Sequence, residues 1–505
     1  MKPGAMGGVS IARLMDVEIV SAELTDVVAD VVALAATEAA APAALPEPLR
    51  GRVARLAQAG DVRPEAGEVL LLHLDGELSA PRLALAGAGP RDELDADALR
   101  TAAAAVAREA GHFGGTVAWH LDQSLPLAPR DQVRALVEGT LLGAYDPGRW
   151  KTQDRDRPRP VERLVLAGVP EDLAADADRF AVVARWTNRA RDLVNAPANL
   201  LTPVALAAAA DRVADESAHL TAAALEPDEA RALGMGAFLG VAAGSRNEPR
   251  MITLRYEPPA AHEGVTLGLV GKAITFDSGG LSIKTRQTMV EEKCDMAGGA
   301  AVIAALGAID ALGLPVRAIG VVAAAENMLD GGAYRPGDVL TAMNGKTIEV
   351  LDTDAEGRIV LADALSYARE LGATHLLDLA TLTGGMTKAL ADQYAGLFAN
   401  DDVWRGQVLA AAQTSGDHAW PLPLHPRYRR YLDSTVADLV NTDMTKLGQP
   451  ATAAAFLHEF VGETPWGHLD IAGTAYLSKA RGDYLAQPGA TGYGVRLIVE
   501  LALSL

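Results

Sequence analysis

The sequence predicts an α/β protein of two domains: a smaller N-terminal α/β domain, and a larger C-terminal domain with a mixed, mostly parallel sheet flanked by helices. Three observations carry this expectation. The chain has 505 residues, 49% of them hydrophobic, which is enough material for two cores. Its first part alternates short apolar runs with alanine-rich helical stretches. Its second part consists of near-continuous apolar runs that end in polar or glycine-rich loops and alternate with apolar helices, the pattern of a mostly parallel sheet covered on both faces.

Taken in order, "VEIVSAEL", "EVLLLHL" and "PRLALAGAG" read as strands and "LRTAAAAVAREAG" as a helix. The polar, basic, proline-rich stretch "DPGRWKTQDRDRPRPVERLVLAG" reads as a loop late in the first domain. The helical run "DLAADADRFAVVARWTNRARDLVN" is stopped by the two prolines of "APANLLTP". These signals set the first domain at 1–172, a connecting helix at 173–196 and the second domain at 197–505. In the second domain "RMITLRY", "VTLGLVGKAITF", "VRAIGVVAAAEN" and "THLLDLATLTGG" read as strands. The stretches "GGAAVIAALGAIDALG" and "RIVLADALSYAREL" read as helices between them. Residues 1–14 lack a compact apolar segment and are expected to be an untargeted, flexible leader, with Met15 an alternative start.

Composition narrows the classes. A net charge of −20 argues against nucleic acid or an anionic membrane as a partner. No apolar run is expected to reach membrane-spanning length. Cys294 is the only cysteine, so no internal disulfide forms, which suits a reducing cytoplasm.

Three stretches place charge where a core would not choose it. "VGKAITFDSGGLSIK" sets Lys272 and Asp277 in and after an apolar strand, with Lys284 beyond a glycine pair. A Lys–Asp pair closing the strand is the plain structural alternative. A phosphate-binding GxxxxGK[ST] loop is excluded, because Thr266 stands where its first glycine is needed. In "EEKCDMAGGAAVIAAL", Asp295 precedes a glycine-rich helix start, where an N-cap is the plain alternative. Cys294 beside it points elsewhere in an extended segment. In "LDTDAEGRIVLADAL", Asp352, Asp354, Glu356 and Arg358 occupy every second position and share one face if the segment is extended. An acidic helix N-terminus accounts for one or two of these acids, not for three with an arginine among them.

Asp277, Asp295, Asp354, Glu356 and Lys272 thus gather at the ends of predicted strands, where α/β sheets collect ligands. So many buried carboxylates cannot all ionise without cations. With no HExxH or CxxC motif, the oxygen-rich set suits Zn²⁺, Mn²⁺, Co²⁺ or Mg²⁺. Carboxylates can bridge two such ions, which activate water. Lys272 as a ligand has to be neutral. Lys284 and Arg358 are left as cations for a developing oxyanion.

Together with "ENMLDGGAYRPGDVLTAMNGKTIEVLDTDAEGR", "DLATLTG" and "PWGHLDIAGTA…GATGYGVRL", in that order, these segments resemble the leucine aminopeptidase family, the cytosol aminopeptidases. "DLVNAPANLLTP" and "GVAAGSRNEPRMITLRY" resemble the entry to its catalytic domain. The likeness covers Asp192 to Leu505; the first domain has only a generic α/β resemblance. It implies a cytoplasmic enzyme, with peptide substrates bearing a free N-terminus, a homohexamer with sites facing an inner cavity, and two divalent metal ions per chain, Mn²⁺ or Zn²⁺. Carried over by residue, Lys272, Asp277, Asp295 and Glu356 hold one ion. Asp277, Asp354 and Glu356 hold the other, and a metal-bridging water attacks the first peptide carbonyl. Lys284 polarises that carbonyl, and Arg358 holds a bicarbonate general base, helped by backbone groups around Leu382. The first-residue pocket falls among Glu292, Thr381, Gly384, Ala472 and Ala475.

The chain departs from the family pattern at three places. Asp352 replaces the asparagine of the signature, Leu329 a proline, and Glu292 a methionine that lines the pocket. Glu292 is expected either to favour Lys or Arg at the substrate N-terminus or to turn outward and pair with Arg286 or Lys293. A non-catalytic scaffold, a DNA-binding architectural relative and another two-metal hydrolase are the rival readings.

Overall fold

The computed structural model describes residues 15–153, 158–262, 264–445 and 447–505; the expected leader at 1–14 lies outside the described residues. Two compact units divide the chain. One runs up to Arg185 and also takes in Ala480–Ala486; the other comprises Trp186–Lys479 and Gln487–Leu505. The division falls inside the long helix Ala174–Asn195.

In the first unit the strands are β1 (Asp16–Val20), β2 (Val31–Ala36), β3 (Val69–His73), β4 (Arg82–Gly87), β5 (Gly115–His120) and β6 (Val161–Ala167). They form one sheet in the order β1-β6-β5-β2-β4-β3, with only β3 and β4 antiparallel. Strand β6 corrects the expected loop. The prolines that mark that loop end at Pro160, and the apolar run that follows fills the slot between β1 and β5, burying Val161, Leu164 and Leu166.

In the second unit come β7 (Leu220–Leu225), β8 (Arg250–Tyr256), β9 (Thr266–Asp277), β10 (Arg317–Asn327), β11 (Val339–Thr341), β12 (Thr347–Glu349), β13 (His375–Ala380), β14 (Ala395–Ala399), β15 (Ala419–Pro421), β16 (Leu439–Val440) and β17 (Trp466–Asp470). Eight of them make a mixed sheet in the order β15-β14-β17-β13-β9-β10-β8-β7. Its centre, β17-β13-β9-β10, is parallel throughout.

The period-two alternation of β9 and β10 explains how both faces are covered. Val270, Ile274, Val321 and Ala323 share a core with Ile359, Val360 and Ala362 of the helix Gly357–Glu370. Gly271, Ala273 and Val322 instead meet the start of the helix Ala297–Ala311. A Cβ on Gly298 would lie 2.0 Å from the carbonyl oxygen of Leu379, so only glycine lets this helix start sit so close to β13. An 18-residue window within Glu292–Ala311 does reach the length and mean hydropathy (1.4) of a membrane span, contrary to the expectation, but 83% of that window is buried inside the protein.

The helix Gly357–Glu370 is tied down by a buried acid. Asp363 accepts hydrogen bonds from the backbone N–H of Phe238 (2.8 Å) and Met343 (2.7 Å). Asp363→Ala leaves both donors buried without a partner and is expected to destabilise the fold by about 2–5 kcal/mol, read by denaturant unfolding. Burial pushes the Asp363 carboxyl up to about 7, although the same N–H groups oppose this. Its folded pKa is therefore raised, so its contribution is complete at low pH and is lost as pH rises through about 7. The variant should flatten that part of the stability–pH profile.

Candidate metal centre

Strands β9, β10, β13 and β17 end at the same edge of the sheet, and their last residues build the site. Asp277 closes β9, Asn327 closes β10 and Asp470 closes β17, while Thr381 and Leu382 follow β13. Asp277 and Lys272 lie five positions apart, so strict alternation would point them to opposite faces of the sheet. The register of β9 against β10 shifts at this point: Ala325 faces Ile274 and Glu326 faces Phe276, leaving Thr275 as an extra residue. This bulge restores Asp277 to the side of Lys272.

Lys272 Nζ lies 2.7 Å from Asp295 Oδ1 and 2.8 Å from Glu356 Oε1, and donates to the carbonyl of Thr381 at 3.0 Å. Lys284 Nζ lies 2.7 Å from Asp354 Oδ1, 2.9 Å from Asp277 Oδ2 and 3.5 Å from Glu292 Oε1. Gly357 makes room for Lys272: a Cβ there would meet the ammonium at 2.7 Å. Asn327 Nδ2 donates to Asp277 Oδ1 at 2.8 Å and fixes that carboxylate. Thr381 donates its hydroxyl to Asp295 Oδ1 at 2.6 Å.

Five carboxylates thus surround two ammonium groups, and the electrostatics show the surplus. Burial, then Glu356, pushes Asp277 up to about 7. Burial also raises Asp295, Asp354 and Glu292 above the ordinary carboxylate range. Glu356 is held low: burial pushes it up, but Lys272 and Lys284 outweigh burial. For both lysines burial favours the neutral amine, and the surrounding carboxylates more than offset it, so each is held above its ordinary value.

The residues fit divalent cations. Asp277, Asp354 and Glu356 each offer an oxygen, and these lie within 4.8 Å of one another; Asp277, Glu292 and Asp295 do the same. Asp295 Oδ2 is buried without a hydrogen-bond partner among the described residues, a costly arrangement unless a cation takes it. All the donors are oxygens apart from the lysine nitrogen, which suits hard or borderline ions. Cys294 joins neither group, and its thiol is raised by burial.

The structure corrects several expectations. Asp352, Asp354, Glu356 and Arg358 do not share the face of an extended segment. The chain turns instead: Asp352 Oδ1 accepts the N–H of Asp354 at 2.9 Å, Glu356 has helical dihedrals, and Arg358 lies within the helix Gly357–Glu370. Asp352 therefore shapes a turn, which Asn441 braces by donating to its carbonyl at 2.7 Å. Asp295 is not an N-cap; Met296 occupies that position and Asp295 turns into the cluster. Glu292 does not turn outward to Arg286 or Lys293. Lys293 donates to the carbonyl of Asn195 at 3.1 Å, and among the described residues the charged partner of Glu292 is Lys284.

Arg358 is 1% exposed and donates to the carbonyl of Asn441 at 3.0 Å. Its Nε is buried without a partner among the described residues, and burial lowers its pKa to about 10. Asp470, which the sequence reading missed, gathers the N–H groups of Leu382 (3.3 Å), Thr383 (3.4 Å) and Ala472 (3.2 Å). Its signal was the one Asn327 also gives: a polar residue closing an otherwise apolar strand. Gly384 opens the helix Gly384–Leu390, and a Cβ there would meet nothing within 4 Å. Ala475 is buried, 2% exposed.

Comparison with known proteins agrees with this geometry. Residues 188–499 match the model of the cytosol aminopeptidase family, catalytic domain, and residues 31–154 match its N-terminal domain. A probable cytosol aminopeptidase of Solibacter usitatus is 46% identical over 88% of this chain and 91% of its own length. One from Roseiflexus castenholzii is 43% identical over 90% and 93%. Among solved structures, the bottromycin maturation enzyme BotP in complex with Mn has a TM-score of 0.83 at 36% identity, covering 94% of this chain and 99% of its own. A mutant of tomato leucine aminopeptidase has a TM-score of 0.86 at 31% identity, covering 97% of each chain. With matches in both of its units and a carboxylate cluster built to hold divalent ions, the chain belongs to the cytosol aminopeptidase family and is a metal-dependent aminopeptidase of the leucyl aminopeptidase type.

Proposed function

We propose that the enzyme removes the first residue of peptides with a free N-terminus, in the turnover of cytoplasmic peptides, and that it does so with two divalent ions, Mn²⁺ or Zn²⁺. The observation that carries this reading is the pair of carboxylate trios that share Asp277. Lys272, Asp277, Asp295 and Glu356 would hold one ion, and Asp277, Asp354 and Glu356 the other. When bound, such ions supply Lewis acidity and a water acidic enough to attack near neutral pH.

The protein's own groups do the rest. Lys284, the most exposed of the two cluster lysines, presents its ammonium to the oxygen of the scissile carbonyl and stabilises the charge that develops there. Arg358 takes a bicarbonate as general base, helped by backbone groups around Leu382. A buried guanidinium with a free Nε and, among the described residues, no carboxylate partner supports an anion at this place. Asp470 holds the Leu382–Thr383 turn that this anion would use. Thr381, Gly384, Ala472 and Ala475 bound a first-residue pocket of small side chains that suits aliphatic residues. Assembly into a homohexamer is part of the same reading, carried by the family likeness alone.

The test is release of the N-terminal residue from unblocked dipeptides. Chelation should abolish it, Mn²⁺ or Zn²⁺ should restore it, and N-acetylated peptides should survive. Turnover that persists without metal, or cleavage of blocked peptides, would overturn the reading.

A further inference from the structure

We infer that Glu292 is itself a metal ligand, a fourth carboxylate at the ion position of Lys272, Asp277, Asp295 and Glu356. The inference rests on the two-ion reading above and deepens it.

The argument begins with the backbone. Glu292, Lys293 and Cys294 form one turn of 3₁₀-helix that hands the chain to Asp295. In such a turn residues i and i+3 eclipse one another, so Glu292 and Asp295 present their carboxylates on the same side. The outcome is the second trio: oxygens of Asp277, Glu292 and Asp295 lie within 4.8 Å of one another, the same closeness as in the trio of Asp277, Asp354 and Glu356.

The partners of each oxygen then show what is left over. Asp295 Oδ1 is taken by Lys272 and by the Thr381 hydroxyl, whereas Asp295 Oδ2 is buried with nothing to bond, in a residue only 4% exposed. Glu292 faces Lys284 at 3.5 Å, beyond good hydrogen-bond distance. That ammonium already bonds Asp277 and Asp354 at 2.9 and 2.7 Å. A carboxylate brought inward, four-fifths buried, and loosely held by an occupied cation is poorly explained as a lysine partner. It is well explained as a ligand. The bond would draw its charge away from the first-residue pocket, leaving that pocket to aliphatic side chains rather than to Lys or Arg.

The experiment compares wild type, Glu292→Gln and Glu292→Met as intact chains, freed of metal and then titrated. Mn²⁺ binding is followed by calorimetry and by loss of the free-ion paramagnetic resonance signal, and Co²⁺ loading by visible absorption. Wild type should take up two Mn²⁺. Either substitution should weaken one of them by about tenfold or more and leave the other within a few-fold, and Glu292→Met, which has no oxygen to offer, should raise the Co²⁺ molar absorptivity as one ligand is lost. Unchanged affinities, or weakening without a change in the Co²⁺ spectrum of Glu292→Met, would overturn the ligand role, the latter marking a charge effect only. Wild type that binds fewer than two ions would overturn the two-ion reading itself. Glu292→Gln keeps the size and polarity of the side chain, so its result stands even where Glu292→Met disturbs the turn.

Discussion

Lys284→Ala lowers kcat by about 10²–10³-fold, equivalent to about 2.7–4 kcal/mol of transition-state stabilisation, and leaves the metal content unchanged. The expectation follows from where the ammonium sits. Its Nζ lies within 3 Å of Asp277 and Asp354, so it is already at the place where both trios meet. Unlike Lys272, it has no hydrogen bond to a backbone carbonyl among the described residues and keeps some exposure, so a remaining N–H can meet a substrate oxygen. An interaction made mainly in the transition state lowers kcat and kcat/KM together. A rise in KM alone would make Lys284 a binding group. The metal-free variant should also melt earlier than metal-free wild type, because five carboxylates would then share one ammonium, and divalent ions should close most of that gap.

Asp277→Asn should be more damaging, because Asp277 is the member common to both trios. Replacing a group that merely orients a ligand typically costs about 10–100-fold in affinity or activity, and loss of the shared ligand should exceed that. The expected result is less than one tightly held ion per chain and turnover below about 1% of wild type, read by elemental analysis and steady-state kinetics. Asn327 can still bond the new amide oxygen, so the fold is retained. Removing one charge from a surplus of buried acids should leave the metal-free protein no less stable than wild type, a sign of structure held for function rather than for stability. Full occupancy by two ions in this variant would place the metal elsewhere.

Much of this was legible in the sequence because the strands that carry the site are nearly all apolar. Lys272 and Asp277 stand out in β9, as Asp295 does before a glycine-rich helix. What was not legible depends on local irregularity. Nothing in "GKAITFD" announces that Thr275 bulges, yet without that extra residue Lys272 and Asp277 could not lie on the same side of the sheet. The same holds for Asp352 to Arg358, where the two-residue period of charges suits an extended segment and the backbone instead turns into a helix. The inward turn of Glu292 shows only when Asp277 and the Glu292–Asp295 turn, from two separate stretches, are seen together. In the first unit, β6 was hidden because the prolines before it dominate the composition of its neighbourhood.

One detail of the architecture bears on how the protein is made. The first unit owns a short piece of chain, Ala480–Ala486, that lies close to the C-terminus. The piece is not decorative: Tyr484 and Leu485 are 6% and 5% exposed, and the guanidinium of Arg100 stands over the Tyr484 ring at 5.4 Å. Domains ordinarily mature in the order of their synthesis, the N-terminal one first. Here the ribosome must translate past residue 486 before the earliest-made unit can gain its last buried aromatic ring. Nascent chains halted before residue 480 should therefore present that unit in a looser, more protease-sensitive form than the finished polypeptide does.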